Sequence, residues 1–181
     1  MECTSCKKGI LREIKLDDLF RAHQCSNCES LWVMIDDYLE WDGENKEPFD
    51  GELIESNDSS KALLCPRSGS LMRKFKINSK TSHRIDYSAQ IGGVWLDKGE
   101  WELLKQEGLS SSLNSILTEV WQRDIHRQEK RKNIATLYEK RLGKASYEKI
   151  KRVRDWISSH DNADELLSYL IAKDPYDSSI R

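Results

Sequence analysis

Two short motifs concentrate the chemistry of this chain. Cys3-Thr4-Ser5-Cys6 and Cys25-Ser26-Asn27-Cys28 are C-x2-C pairs with 18 residues between them, a spacing that suits a four-cysteine zinc site. Each pair can sit on a tight turn with both thiolates facing one ion, and two such turns complete a tetrahedron with Zn–S near ~2.3 Å. With sulfur at all four corners, no position stays open for water or substrate, so one structural zinc is the expectation. Clustering by chance or a thiol redox pair is the competing account. His23, two residues before Cys25, is read as a loop or outer-shell residue, with replacement of a ligand as the alternative.

Catalysis finds little support beside this. His23, His83, His126 and His160 show no H-E-x-x-H spacing, and no glycine loop of the phosphate-binding kind is present. The fifth cysteine, Cys65, is a nucleophile candidate with His83 near in sequence, or a relic of a lost metal site. Asp36, Asp37 and Glu40 form the one carboxylate group that a metal-dependent hydrolase or nuclease could use, and are otherwise an acidic tail that needs no ion. The chain is therefore expected not to be an enzyme and to have no small-molecule substrate.

The elements that must hold these residues repeat. A shift of 62 lays Cys3 on Cys65 and Cys6 on Ser68, and a shift of 63 lays Cys25 on Ser88, Cys28 on Ile91 and Trp32 on Trp95. Three of the four ligand positions of the second copy are thus Ser, Ser and Ile, which cannot hold zinc. Packing must replace the ion there. Trp95, Trp101, Leu71, Phe75, Ile77, Ile85 and Val94 supply an apolar cluster, with Trp32, Val33, Ile35 and Trp41 of the first copy as its partner surface. The alternation Leu71-Met72-Arg73-Lys74-Phe75-Lys76-Ile77 predicts a half-buried strand with Leu71, Phe75 and Ile77 on one face. Two copies sharing one core is the expected arrangement, and two independent beads the alternative.

Cys65-Pro66-Arg67-Ser68-Gly69 and Ile91-Gly92-Gly93-Val94-Trp95-Leu96-Asp97-Lys98-Gly99-Glu100 resemble the bacterial transcription-factor-IIB-type zinc ribbon family, whose pattern runs CPxCGxxL and then CxxCGGxWLDxGELExL. The first copy keeps the cysteines and has Glu29-Ser30-Leu31-Trp32-Val33-Met34 in place of the glycine-rich tail; the second keeps the tail and loses the cysteines. The resemblance covers about half of the chain. It implies a zinc-ribbon fold and a loose association with transcription or nucleic acid, and no particular chemistry.

The expected fold class is α+β: two small β zinc-ribbon-like modules in tandem, 1–42 with zinc and 63–107 without, a linker over 43–62, and a helical tail over 110–175. Asp42 to Gly51 and Ser56 to Ser60 read as loops. A short helix over Asp97 to Gln106 stops at Gly108, and one long helix runs about 112–141. Gly143 breaks it, Ser146 caps a second helix, and Asp161-Asn162 opens a third that ends before Pro175.

Charge sharpens the division. The 181 residues carry 29 Lys+Arg and 31 Asp+Glu, yet residues 1–50 alone have a balance of −6 and 101–150 one of +3. Between Arg123 and Arg154 lie twelve bases against four acids. Arg123, Arg127, Lys130, Arg131, Lys132, Lys140, Arg141 and Lys144 are the candidate contacts to nucleic acid or to an acidic partner, with a solvated helix face as the plain alternative. The acidic first copy is not expected to read nucleic acid. Trp121 and Trp156 are candidates for stacking on bases, or core residues. Trp41 and Trp101 are candidate anchors for a protein partner, or fill the core between the copies. The expectation is an adaptor in transcription or another nucleic-acid process, docking on a large assembly such as RNA polymerase or a ribosome; a purely protein–protein adaptor is the alternative. No run approaches the roughly 18–20 apolar residues of a membrane span, and the segment opening Met1-Glu2-Cys3 lacks a charged-then-apolar pattern, so the expected location is cytoplasmic, away from membranes.

Overall fold

The computed structural model describes residues 1–41 and 61–177; most of the expected linker lies outside the described residues. The class is α+β. Two compact units are present, Met1–Glu129 and Lys130–Arg181.

The first unit is built on a six-stranded antiparallel sheet of β1 (Leu11–Leu16), β2 (Phe20–Cys25), β3 (Leu31–Met34), β4 (Arg73–Lys76), β5 (Arg84–Ser88) and β6 (Gly93–Leu96), in the order β1-β2-β3-β6-β5-β4. Each half is a three-stranded meander, and the halves join through β3 and β6. There Trp32 lies opposite Trp95, flanked by the pairs Leu31–Leu96 and Val33–Val94. Trp32 and Trp95, the residues aligned by the sequence repeat, thus face each other across the junction, as a local two-fold axis requires.

Side chains alternate across the pleat, so this junction feeds two cores. On one face Leu31, Val33, Val94 and Leu96 join Phe20, Ala22, Phe75, Ile85 and Trp101. On the other, Trp32 and Trp95 pack with Cys3, Leu11, Cys25, Leu63, Cys65 and Met72. The cysteine turns of both halves therefore share one apolar cluster. Met72 and not Leu71 takes the inward position before β4: Met72 N–H donates to Leu63 O at 3.0 Å, while Leu71 is 65 % exposed. Leu71 instead forms a single bridge with Leu64 outside the strand; Phe75 and Ile77 are buried in the first core as the alternation predicts, whereas Met72 belongs to the cluster on the opposite face.

Helices cover the first core. α1 (Ile35–Leu39) follows β3 directly, and α2 (Glu100–Gln106) follows β6 after a turn in which Asp97 N–H donates to the Glu100 carboxylate at 2.8 Å. A 3-10 turn at Ser110–Ser112 and α3 (Leu113–Ile116) come next. The long helix expected over 112–141 is interrupted, and α4 runs over Glu119–Leu142. Thr118 causes the break: its hydroxyl donates to Ser115 O at 2.7 Å and accepts Trp121 N–H at 3.3 Å, closing one helix and capping the next. Residues 110–129 belong to the sheet unit, not to the tail. Leu113 and Ile116 are fully buried, Tyr38 OH donates to Ser110 O and accepts Leu113 N–H, and Gln122 Nε2 donates to Lys76 O.

The second unit contains the end of α4, α5 (Lys144–Ser158) and α6 (Ala163–Ile171). Gly143, at φ 78°, supplies the turn, and α5 starts immediately after it, so Ser146 lies inside the first turn and does not cap it. Tyr138 and Tyr147 stack at 6.4 Å between ring centres. Ile157 is buried, whereas Ile150, Val153, Trp156, Leu167 and Leu170 are exposed. Among the described residues no helix is long and apolar enough to cross a membrane.

Candidate metal centre

The first C-x2-C pair lies on the turn before β1, and the second on the turn between β2 and β3. Because β1 and β2 pair with Leu11 opposite Cys25, both turns come to the same end of the sheet. All four Sγ atoms lie within 4.8 Å of one another, with Cys3–Cys28 at 3.5 Å and Cys6–Cys25 at 3.7 Å. The edge of a ZnS4 tetrahedron with ~2.3 Å bonds is about 3.8 Å, so the cluster has the size for one ion, plausibly zinc. Among the described residues it is the one group of three or more histidines, cysteines and carboxylates close enough to hold a metal. His23 is not part of it; it sits in β2 opposite Trp32. Asp37, from the acidic group at 36–40, is instead paired to Arg21 at 2.7 Å.

The turns aim backbone dipoles at the sulfurs. Cys6 N–H donates to Cys3 Sγ, Gly9 N–H to Cys6 Sγ and Asn27 N–H to Cys25 Sγ, each at 3.4 Å. Such donors favour thiolate over thiol. Burial raises the Cys6 thiol, but the amides of Lys8 and Gly9, with the Asn27 side chain, outweigh it and bring the pKa down to about 6. Burial dominates elsewhere and pushes the thiols of Cys3 and Cys28 up. A buried set of sulfurs with no counter-charge resists ionising; a cation among them reverses that balance. The turns also require a specific residue at position 9, since a Cβ on Gly9 would overlap Cys25 Sγ.

The second half repeats this backbone with other side chains. Lys7 N–H donates to Cys3 O at 3.0 Å and Gly69 N–H to Cys65 O at 2.9 Å; Glu29 N–H donates to Cys25 O at 3.1 Å and Gly92 N–H to Ser88 O at 2.8 Å. Cys6 N–H to Cys3 Sγ is matched by Ser68 N–H to Cys65 Sγ, both at 3.4 Å. Positive φ recurs at the same places, Lys7 with Gly69 and Glu29 with Gly92. Burial would raise the Cys65 thiol, yet contacts with the Ser68 and Ser88 hydroxyls and the amides of Ser68 and Arg67 draw it down. Cys65 is itself buried.

The remaining candidates fall in different places. Trp101 is fully buried in the main core, and its indole N–H donates to Asp17 at 2.7 Å, so it is not an exposed anchor. Trp41 packs edge-on to Tyr38 and Trp101 and tilted against Phe20. Trp121 is held on the sheet by donation to Ile77 O at 3.0 Å, whereas Trp156 is exposed beside His160. Arg123 and Arg127 in the first unit are exposed, as are Lys130, Arg131, Lys132, Lys140, Arg141 and Lys144 in the second. Sequence reasoning missed Ser5, Ser30 and Asp97, which surround the cysteine turns. The one trace of this in the sequence is that Asp97, two residues after Trp95, has Met34 as its counterpart two residues after Trp32.

No protein-family model, curated protein or solved structure matches the chain. The positions of the four sulfurs are thus the firmest functional statement that sequence and structure make together.

Proposed function

We propose that this protein is a non-enzymatic adaptor built on tandem zinc ribbons of the transcription-factor-IIB type, one holding a structural zinc and one metal-free, with a helical tail that contacts nucleic acid or an acidic partner. The closed four-sulfur cluster carries this reading. Four protein ligands satisfy zinc's usual coordination and leave it no site for a reactant, so the ion serves folding. Metal analysis tests it directly: one zinc per chain is expected, and a value near two overturns the metal-free reading of the second half.

For the tail, the exposed cations from Lys130 to Arg154 support binding to phosphate, as do Arg123 and Arg127 for the first unit. Binding to generic duplex DNA would then weaken with salt at a log-log slope of about −0.9 per phosphate neutralised. No binding to DNA or RNA even at low salt would leave the protein–protein reading. That second reading has its own support in the exposed apolar side chains Ile150, Val153, Trp156, Leu167 and Leu170, which suit a protein surface better than a phosphate backbone. Association with transcription, and residence in the cytoplasm, are parts of the same proposal.

A further inference from the structure

The metal-free half reaches into the cysteine cluster of the other half through one carboxylate. Asp97 follows β6 and is almost completely buried. Its Oδ1 accepts Trp95 Nε1–H at 3.0 Å and lies 3.4 Å from the hydroxyls of both Ser5 and Ser30. Ser5 stands between Cys3 and Cys6 on the first cysteine turn. Ser30 stands two residues beyond Cys28, and its Oγ is 3.3 Å from Cys28 Sγ. A single oxygen of the second half therefore touches a hydroxyl on each of the two cysteine turns of the first.

The contact runs one way. The residue placed in the first half as Asp97 is in the second is Met34, two positions after Trp32, as Asp97 is after Trp95. A thioether is a weak acceptor. Trp32 Nε1 is buried with no hydrogen-bond partner among the described residues, whereas Trp95 Nε1 is bound to Asp97. Two further contacts tie the same turns to the second half: Thr4 Oγ1 donates to Leu64 O at 2.6 Å, and Lys98 pairs with Glu29 at 2.8 Å. Burying a carboxylate is costly unless it is hydrogen-bonded. Here the bonds that satisfy it are those that fix the spacing of the metal-binding turns.

We infer that Asp97 is a positioning residue of the metal centre, holding the two cysteine turns in register through Ser5 and Ser30. The metal-free half thereby forms the outer shell of the site in its neighbour. This rests on the reading of the four cysteines as a metal centre. Outer-shell partners of this kind typically change metal affinity by about 10–100-fold.

The test uses Co2+ on the full-length chain, read by chelator competition and by the absorption bands of the Co2+–thiolate centre. The parent should bind one equivalent with a tetrahedral four-sulfur spectrum; no binding by the parent would overturn the metal reading itself, and the inference with it. Asp97→Ala should bind about 10–100-fold more weakly with displaced bands, and Asp97→Asn, whose amide oxygen still accepts, should recover most of both. An Asp97→Ala variant that keeps parental affinity and spectrum overturns the inference. Should Asp97→Ala fail to fold, the double variant Ser5→Ala/Ser30→Ala removes the same two bonds while leaving the carboxylate with Trp95. It should show the same weakening and band shift, and parental behaviour there overturns the inference equally.

Discussion

The two halves of the sheet have nearly the same backbone and opposite ways of holding it. In the first, four sulfurs fix the turns, and Lys7 and Glu29 occupy left-handed positions at φ 52° and 62°, where a side chain costs roughly 1–2 kcal/mol. In the second, the sulfurs are gone apart from Cys65, and the same positions are Gly69 and Gly92. One half has four sulfurs placed to bind a metal ion and carries backbone strain; the other lacks three of them and keeps relaxed turns. The difference teaches that such a turn needs either a strong cross-link or good local conformation, together with a neighbour to pack on.

The largest expected break of this comparison is at the sulfurs. A Cys25→Ser variant, or treatment with a strong chelator, should leave the first half poorly folded, because structural zinc supplies on the order of 10 kcal/mol to small modules. The second half should also loosen, since both halves share the cluster around Trp32 and Trp95. Amide exchange read residue by residue checks both, and protection of β4–β6 that survives intact would show the halves to be independent.

Next comes restoration. The triple variant Ser68→Cys/Ser88→Cys/Ile91→Cys places four sulfurs on turns whose hydrogen bonds already match those of the first half, and should bind a second metal ion. Metal content by mass spectrometry under native conditions should rise from one to two.

Gly93→Ala strikes the junction itself. A Cβ at 93 would overlap the Trp32 indole, and with backbone on one side and a buried ring on the other, nothing can yield cheaply. A loss of about 3 kcal/mol is expected in denaturant unfolding, larger than for Gly108→Ala, where the site is open but φ is +68°. The smallest effect tests the strain. Lys7→Gly should stabilise the first half by about 1 kcal/mol, visible as a raised denaturant midpoint; no gain would mean that Lys7 makes compensating contacts.

Much of the site was legible before any coordinates, because metal ligation by C-x2-C pairs depends on short-range turn geometry that the spacing encodes. Trp32 and Trp95, aligned in the sequence, are in the structure opposite each other on the paired strands β3 and β6. Helix boundaries were less legible. Thr118 is an unremarkable residue in a helical pattern until its hydroxyl is seen closing one helix and capping another, and the turn at Gly143 leaves no place for Ser146 as a cap. Leu71 and Met72 are both apolar, and only the tertiary packing puts Met72 in the cluster around Trp32 and Trp95 while Leu71 stays exposed.

The sequence by itself determined the four candidate ligands, the loss of three of these cysteines in the second copy, the charged character of the helices and the cluster of bases from Arg123 onward. Tertiary structure alone decided that the halves join edge to edge at Trp32 and Trp95, that Trp101 is core and not anchor, and that residues 110–129 close over the sheet. It also decided that Asp97 stands against Ser5 and Ser30 on the cysteine turns of the other half. Ligand spacing is a local property that a chain carries in its order of residues, whereas strand pairing between distant segments depends on which buried surfaces fit once every element is present.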